Sequence, residues 1–202
     1  MNNERINTSH IVIDLETLST KHNAAVASIG IAVVGADLKG EFILMDSRYI
    51  KVDLSDYDET TGFDISAGTF QWWLGQSDEA RAELSGAQDG CLDTFAAADE
   101  VFDLIAPLRD QGPIRVWGNG ATFDVTIMEH FLKEGCVDVP WKYTDVRCLR
   151  TIFDHEGIDW KAHLPTNGAH NASHDAMAEA LGLCDALNVA NSRGVISQTK
   201  IA

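Results

Sequence analysis

The sequence predicts an α/β fold: a mixed five-stranded sheet, an antiparallel meander followed by parallel strands, with helices on its faces. Three observations predict it. The first three extended segments follow one another with only turn-prone stretches between them. Beyond them helical periodicity takes over and alternates with short apolar runs. No internal repeat, low-complexity tract or linker divides the 202 residues. One domain is expected over residues 1–190, with a polar C-terminal tail over 191–202.

The elements are justified in chain order. His10 to Glu16 is an apolar run ending in acids, the pattern of a buried strand. Val26 to Val34 (VASIGIAVV) and Glu41 to Val52 are β-branched and apolar, separated by the turn-prone GADLKG. Helical spacing follows over Ser66 to Leu74, Ser77 to Leu84 and Leu92 to Arg109, the last carrying Leu92, Phe95, Ala96, Phe102, Ile105 and Leu108 in one stripe. Pro107 is expected to distort its end. Ile114 to Trp117 reads as a short strand, Gly118 to Gly120 as a loop, and Thr122 to Lys133 as a helix closed by Gly135. A fifth strand is placed near Trp141 to Tyr143 and a helix near Asp145 to His155. The final helix begins near Asn171 to Ser173, both good N-cap types, and presents Ala176, Met177, Ala180, Leu181, Leu183, Cys184 and Leu187 at helical spacing.

Composition excludes several classes. A hydrophobic content of 45% argues against disorder, and no stretch approaches transmembrane length. The N-terminus, MNNERINTSH, is polar and unlike a secretory signal, so a cytoplasmic location is expected. Cys91, Cys136, Cys148 and Cys184 are widely spaced without a CxxC pair. They are expected as buried free thiols rather than a zinc site. The 15 basic and 31 acidic residues give a net charge of −16, which excludes a protein that coats duplex nucleic acid electrostatically.

Against that acidic background, five residues stand out: Asp14 and Glu16 in IVIDLET, Asp124 in WGNGATFD, and His170 and Asp175 in HNASHDA. Residues i and i+2 of a strand share a face, so Asp14 and Glu16 converge. Two carboxylates at the end of a buried strand repel and lose hydration, a cost that a bound divalent cation offsets. His170 and Asp175 cannot both sit mid-helix and converge, because five residues turn a helix through about 500°. The conflict disappears if His170 precedes the helix and Asp175 lies in its first turns. Each motif alone is weak, since acids at strand ends and helix starts are commonly solvated or capping. Their ordered combination points to a metal site.

The three motifs resemble the sequence blocks of the DEDDh branch of 3′-5′ exonucleases, with the ribonuclease H-like fold, over roughly residues 10 to 190. The longer segments DLETLSTKHNAAVASIG, FQWWLGQSDEAR and VWGNGATFD are similar to a phage and prophage group of exonucleases with mycobacterial relatives that act on RNA. The resemblance implies that Asp14, Glu16, Asp124 and Asp175 bind two divalent cations, Mg²⁺ or Mn²⁺, and that His170 is the general base. It implies hydrolysis of single-stranded RNA or DNA from the 3′ end to nucleoside 5′-monophosphates, with the ions about 3.5 to 4 Å apart. An enzyme that grips a few nucleotides at a chain end needs no broad basic surface. Homodimerisation is implied by the resemblance alone. The alternative is a catalytically quiet module that keeps the fold to bind nucleic acid or a partner; the complete set of acids with His170 favours the enzyme.

Around the site, the resemblance brings Leu15, Thr17 and Leu18 to the terminal nucleotide, with Leu18 as a wedge against the last base. Adjacent helical positions diverge by about 100°, so one of Trp72 and Trp73 packs inward and the other meets solvent or a base. Trp73 is the candidate for substrate contact, and the competing reading places both rings in core or dimer contacts. Asn119 either shapes the loop ahead of Asp124 or reaches the substrate. Asp145 is read as a helix N-cap and Arg147 as a phosphate contact.

Overall fold

The computed structural model describes residues 8–58, 60–84, 90–166 and 170–194. Five strands, β1 (Ser9–Thr17), β2 (Val26–Ala36), β3 (Phe42–Lys51), β4 (Ile114–Gly118) and β5 (Val146–Cys148), form one sheet in the order β3-β2-β1-β4-β5. β1, β2 and β3 pair antiparallel, whereas β4 runs parallel to β1 and β5 parallel to β4. This is the ribonuclease H-like sheet. Its helices are α1 (Ala67–Leu74), α2 (Asp78–Arg81), α3 (Thr94–Gln111), α4 (Asp124–Glu134), α5 (Leu149–Glu156) and α6 (Ala172–Ser192).

Strand alternation divides the core between the two faces of the sheet. Ile11, Ile13 and Leu15 of β1 pack with Val101 and Ile105 of α3 and with Ile127, Met128 and Phe131 of α4. Val12, with Ala32 and Val34 of β2, faces Leu149 and Phe153 of α5 and Ala176, Ala180 and Leu183 of α6. Asp14 and Glu16 continue the Val12 row, so they emerge on the α6 face where its apolar side chains run out. β2 is buried along almost its whole length, as a strand covered on both faces must be, while β3 is an exposed edge.

One close approach positions the site. Gly30 pairs with Asp14, and a Cβ at residue 30 would stand 1.8 Å from the Ala172 carbonyl oxygen. Only glycine lets the first turn of α6 settle on β2 beside Asp14. At the start of that helix Asn171 is the N-cap, its side chain accepting from the His174 amide at 3.0 Å.

Three expectations are corrected. The fifth strand lies at Val146–Cys148, because its register with Val116, Trp117 and Gly118 starts there. Trp141 is instead buried, its indole donating to Glu129 at 3.0 Å. Asp145 does not cap α5, which begins at Leu149; it accepts from the Lys142 amide at 2.9 Å within a 3₁₀ turn. Pro107 lies inside α3, in its last turns before Gln111. The four cysteines are free, but only Cys184 is buried. Most of the expected polar tail, residues 195–202, lies outside the described residues. Among the described residues no helix is long and apolar enough to cross a membrane.

Candidate metal centre

The carboxylates come from three elements. Asp14 and Glu16 project from β1, and Asp175 from the first turn of α6. One oxygen of each lies within 4.8 Å of the others, close enough for a single cation to touch all three. Asp124, the first residue of α4, lines the same cavity of about 450 Å³. Backbone amides of Leu15, Asn119 and Asp124 itself hold its carboxylate, and a Cβ on Gly118 would come within 3.0 Å of it. The glycine that ends β4 therefore makes room for the acid six residues later.

His170 precedes α6 in the left-handed region, φ 62°, which a non-glycine residue rarely adopts. Its backbone amide donates to Asp175 Oδ2 at 2.9 Å, and this bond ties the turn to the acid. Its ring meets Trp72 edge to face, with centroids 5.0 Å apart. The structure thus brings all five motif residues to one cavity, with His170 and Asp175 placed on either side of the helix start.

The electrostatics fit a cation. Burial first, and then Glu179, Asp124, Glu16 and Asp175, hold the Asp14 carboxyl well above the ordinary carboxylate range. Glu16 is pushed up to about 9 by burial, then by Asp175, Glu83 and Asp124. Asp124 is raised to about 7 by burial, partly countered by the backbone amides and Arg150. Burial also raises Asp175 and Glu179. Without countercharge their burial favours the protonated form, and a divalent ion would favour the ionised one. Glu179 is 1% exposed, and its Oε2 has no hydrogen-bond partner, a further sign of a site built around positive charge.

Three residues in this surround escape sequence reasoning. Glu179 follows Asp175 at i+4 on α6, a spacing that marks it as a same-face neighbour. Glu83 is buried and accepts from Ser28, from the Tyr49 hydroxyl at 2.9 Å and from Asn171 Nδ2 at 2.6 Å, so it anchors the residue that caps α6. No local pattern announces it, because its partners come from three distant segments. Arg150 lines the cavity, whereas Arg147, the expected phosphate contact, is absent from the lining and donates to the Thr144 and Val146 carbonyls.

Three substrate expectations also change. Among Leu15, Thr17 and Leu18, only Leu15 lines the cavity. The ladder is irregular between Glu16 and Thr17, and such a bulge re-aims the residues after it. Thr17 turns its hydroxyl to the Ser19 carbonyl at 2.8 Å, and Leu18, 6% exposed, joins the core and keeps no apolar edge for a base. Trp73 is 1% exposed, with its indole donating to the Thr17 carbonyl at 2.9 Å. It has no free face for stacking; the ring open to solvent is Trp72. Asn119 does line the cavity.

Residues 9–187 match the 3′-5′ exoribonuclease Rv2179c-like domain family. The chain belongs to this family. The match opens at β1 and closes within α6, so it contains Asp14, Glu16, Asp124, His170 and Asp175. The chain is also 28% identical over 131 residues to an exodeoxyribonuclease of Enterobacteria phage T4, covering 61% of this chain and 55% of the phage protein. It therefore spans little more than half the length of that relative. The solved structure of cell-death related nuclease 4 (CRN-4) aligns over 90% of this chain and 64% of that one, with a TM-score of 0.45 and 12% identity.

Proposed function

We propose that the protein is a DEDDh-type 3′-5′ exonuclease that hydrolyses single-stranded RNA or DNA from the 3′ end to nucleoside 5′-monophosphates. The convergence of Asp14, Glu16 and Asp175 within 4.8 Å, beside His170, carries this reading. Family membership supplies the exonuclease direction, since a metal-assisted phosphodiesterase site serves internal cleavage equally well.

Asp14, Glu16 and Asp175, with Asp124 nearby, are the residues to hold two divalent cations, Mg²⁺ or Mn²⁺; both accept all-carboxylate ligation. When bound, the cations supply charge stabilisation to the attacking and leaving oxygens. The protein's own part is positional and protolytic. Asp175 accepts the His170 amide and so fixes the loop that carries the imidazole. His170 accepts the proton of the attacking water, a task suited to imidazole near neutral pH. Leu15 gives the cavity an apolar wall for the terminal nucleotide, and Trp72 stands at its edge beside His170.

The test is a time course on 5′-labelled single-stranded RNA and DNA of one sequence with Mg²⁺, with Mn²⁺ and with EDTA. A metal-dependent ladder shortening from the 3′ end is expected, and the faster ladder identifies the preferred sugar. Internal cuts would replace the reading with an endonuclease. No cleavage under either metal would leave only the quiet binding module.

A further inference from the structure

We propose that Arg150 forms a subsite for the phosphodiester immediately upstream of the scissile bond, and that Asn119 and Glu179 are the positioning residues that hold it there. The inference rests on the exonuclease reading above. In a chain of net charge −16, Arg150 and Lys161 are, among the described residues, the only lysine or arginine side chains lining the cavity. Lys161 Nζ lies 5.8 Å from the centroid of the Trp160 ring. Arg150 is exposed, acts electrostatically on Asp124 and Glu179, and yet makes no ion pair with any carboxylate among the described residues.

The reason it pairs with none is structural. Arg150 Nε donates to Asn119 Oδ1 at 3.3 Å, and the guanidinium lies over Gly120, where a Cβ would come within 3.3 Å of Cζ and Nη2. Gly120 also has φ 122°, so both its backbone and its missing side chain leave room for the arginine. Asn119 has two ends: its carbonyl oxygen accepts from Arg150, which leaves the amide as the end that acts on Glu179. Glu179, buried and one helical turn beyond Asp175, thereby favours the Asn119 orientation that meets Arg150. The arrangement leaves the terminal Nη groups of Arg150, a planar fork suited to phosphate oxygens, unclaimed by carboxylates.

The placement of Arg150 points to which phosphate this is. On the exonuclease reading the scissile phosphate belongs over Asp14, Glu16 and Asp175, the residues that would hold the cations. Arg150 is the second residue of α5, just after β5, which lies beyond β4 from β1, whereas Glu16 pairs with Ser28 of β2 and the start of α6 that follows His170 packs on Gly30 of β2. The guanidinium, over Gly120 just past the end of β4, therefore reaches the cavity from the side away from β2 and meets the neighbouring backbone charge rather than the reacting one.

The experiment compares release of the 3′-terminal nucleotide from an all-phosphodiester oligonucleotide with release from one carrying a neutral methylphosphonate at the second linkage from the 3′ end. Both keep a natural scissile bond. For the wild type, loss of the upstream charge is expected to lower kcat/KM about tenfold or more, mainly through KM. Arg150→Ala is expected to respond little to the neutral linkage, since the partner of that charge is already gone. Arg150→Lys should keep part of the discrimination, and Asn119→Leu should lose much of it. Equal rates on the two oligonucleotides by the wild type, or an undiminished penalty in Arg150→Ala, would overturn the subsite while leaving the exonuclease standing. Failure of the wild type to shorten either oligonucleotide would overturn the exonuclease reading itself.

Discussion

At the scale of single residues, the acids of the cavity are a liability to the empty protein and an asset to the loaded one. Asp14 is half-buried among four other carboxylates and held well above its ordinary range. Replacing it with the isosteric amide removes that conflict along with a ligand. Asp14→Asn is therefore expected to lose more than 10³-fold in metal-dependent cleavage while the metal-free protein at pH 8 becomes more stable, by about 1 kcal/mol or a melting shift of roughly 2–4 °C. A thermal melt and a cleavage assay on one preparation check both; a destabilised or still active variant would contradict the assignment. The tryptophans call for opposite outcomes. Trp73→Phe strands the Thr17 carbonyl in the core and should cost about 1–3 kcal/mol. Trp72→Ala should leave the melting temperature near wild type and raise KM for oligonucleotides, and the reverse pattern would return Trp73 to the substrate. Residue identity was legible in the motifs because metal chemistry demands particular acids. The inward and outward members of the tryptophan pair were not, since a helix position acquires a direction only when its partners are known.

At the scale of elements, the site depends on where α6 begins. Sequence reasoning reached that boundary through capping chemistry: Asn171 followed by a helical stripe, with His170 left in the turn before it. β5 was misplaced because aromatic residues near 141–143 fit a strand in isolation, whereas pairing with β4 selects Val146–Cys148. Long-range partners also explain why Glu83 was invisible: it joins β2, β3 and the α6 cap from a segment with no motif of its own. The same dependence makes Gly30 a sensitive point far from any substrate. Gly30→Ala would drive a methyl group into the Ala172 carbonyl, an overpacking cost of about 1–3 kcal/mol that the helix start can relieve only by moving off β2. Because Asn171, His170 and Asp175 move with it, kcat should fall more than tenfold in a protein whose far-ultraviolet dichroism is unchanged. Wild-type turnover in that variant would show that the close approach serves packing alone.

At the scale of the whole molecule, charge and burial combine into a pH dependence whose sign is fixed. Glu16 and Asp124 have folded-state values near 9 and 7, against ordinary carboxylate values near 4. The folded, metal-free protein therefore binds protons that the unfolded chain has already released, so these groups stabilise the fold at pH below about 4 and lose that contribution as pH rises through 7 and 9. The net charge of −16 acts in the same direction, through self-repulsion that grows as protons leave. In EDTA the melting temperature should accordingly fall from pH 5.5 to pH 9. Divalent ions reverse the balance, because ligation requires the deprotonated acids and each site filled releases protons. Millimolar Mg²⁺ or Mn²⁺ should raise the melting temperature strongly at pH 8.5 and little at pH 5.5, whereas general screening of surface charge by NaCl at matched ionic strength should give a smaller shift. Glu16→Gln separates the two contributions: it removes a shifted carboxyl while changing the net charge by only one. If the fall with pH comes from the cavity, this variant flattens it and weakens the metal response together. If the slope is unchanged and the metal still stabilises, the dependence belongs to the acidic surface and the carboxylate cluster is not where the cation binds.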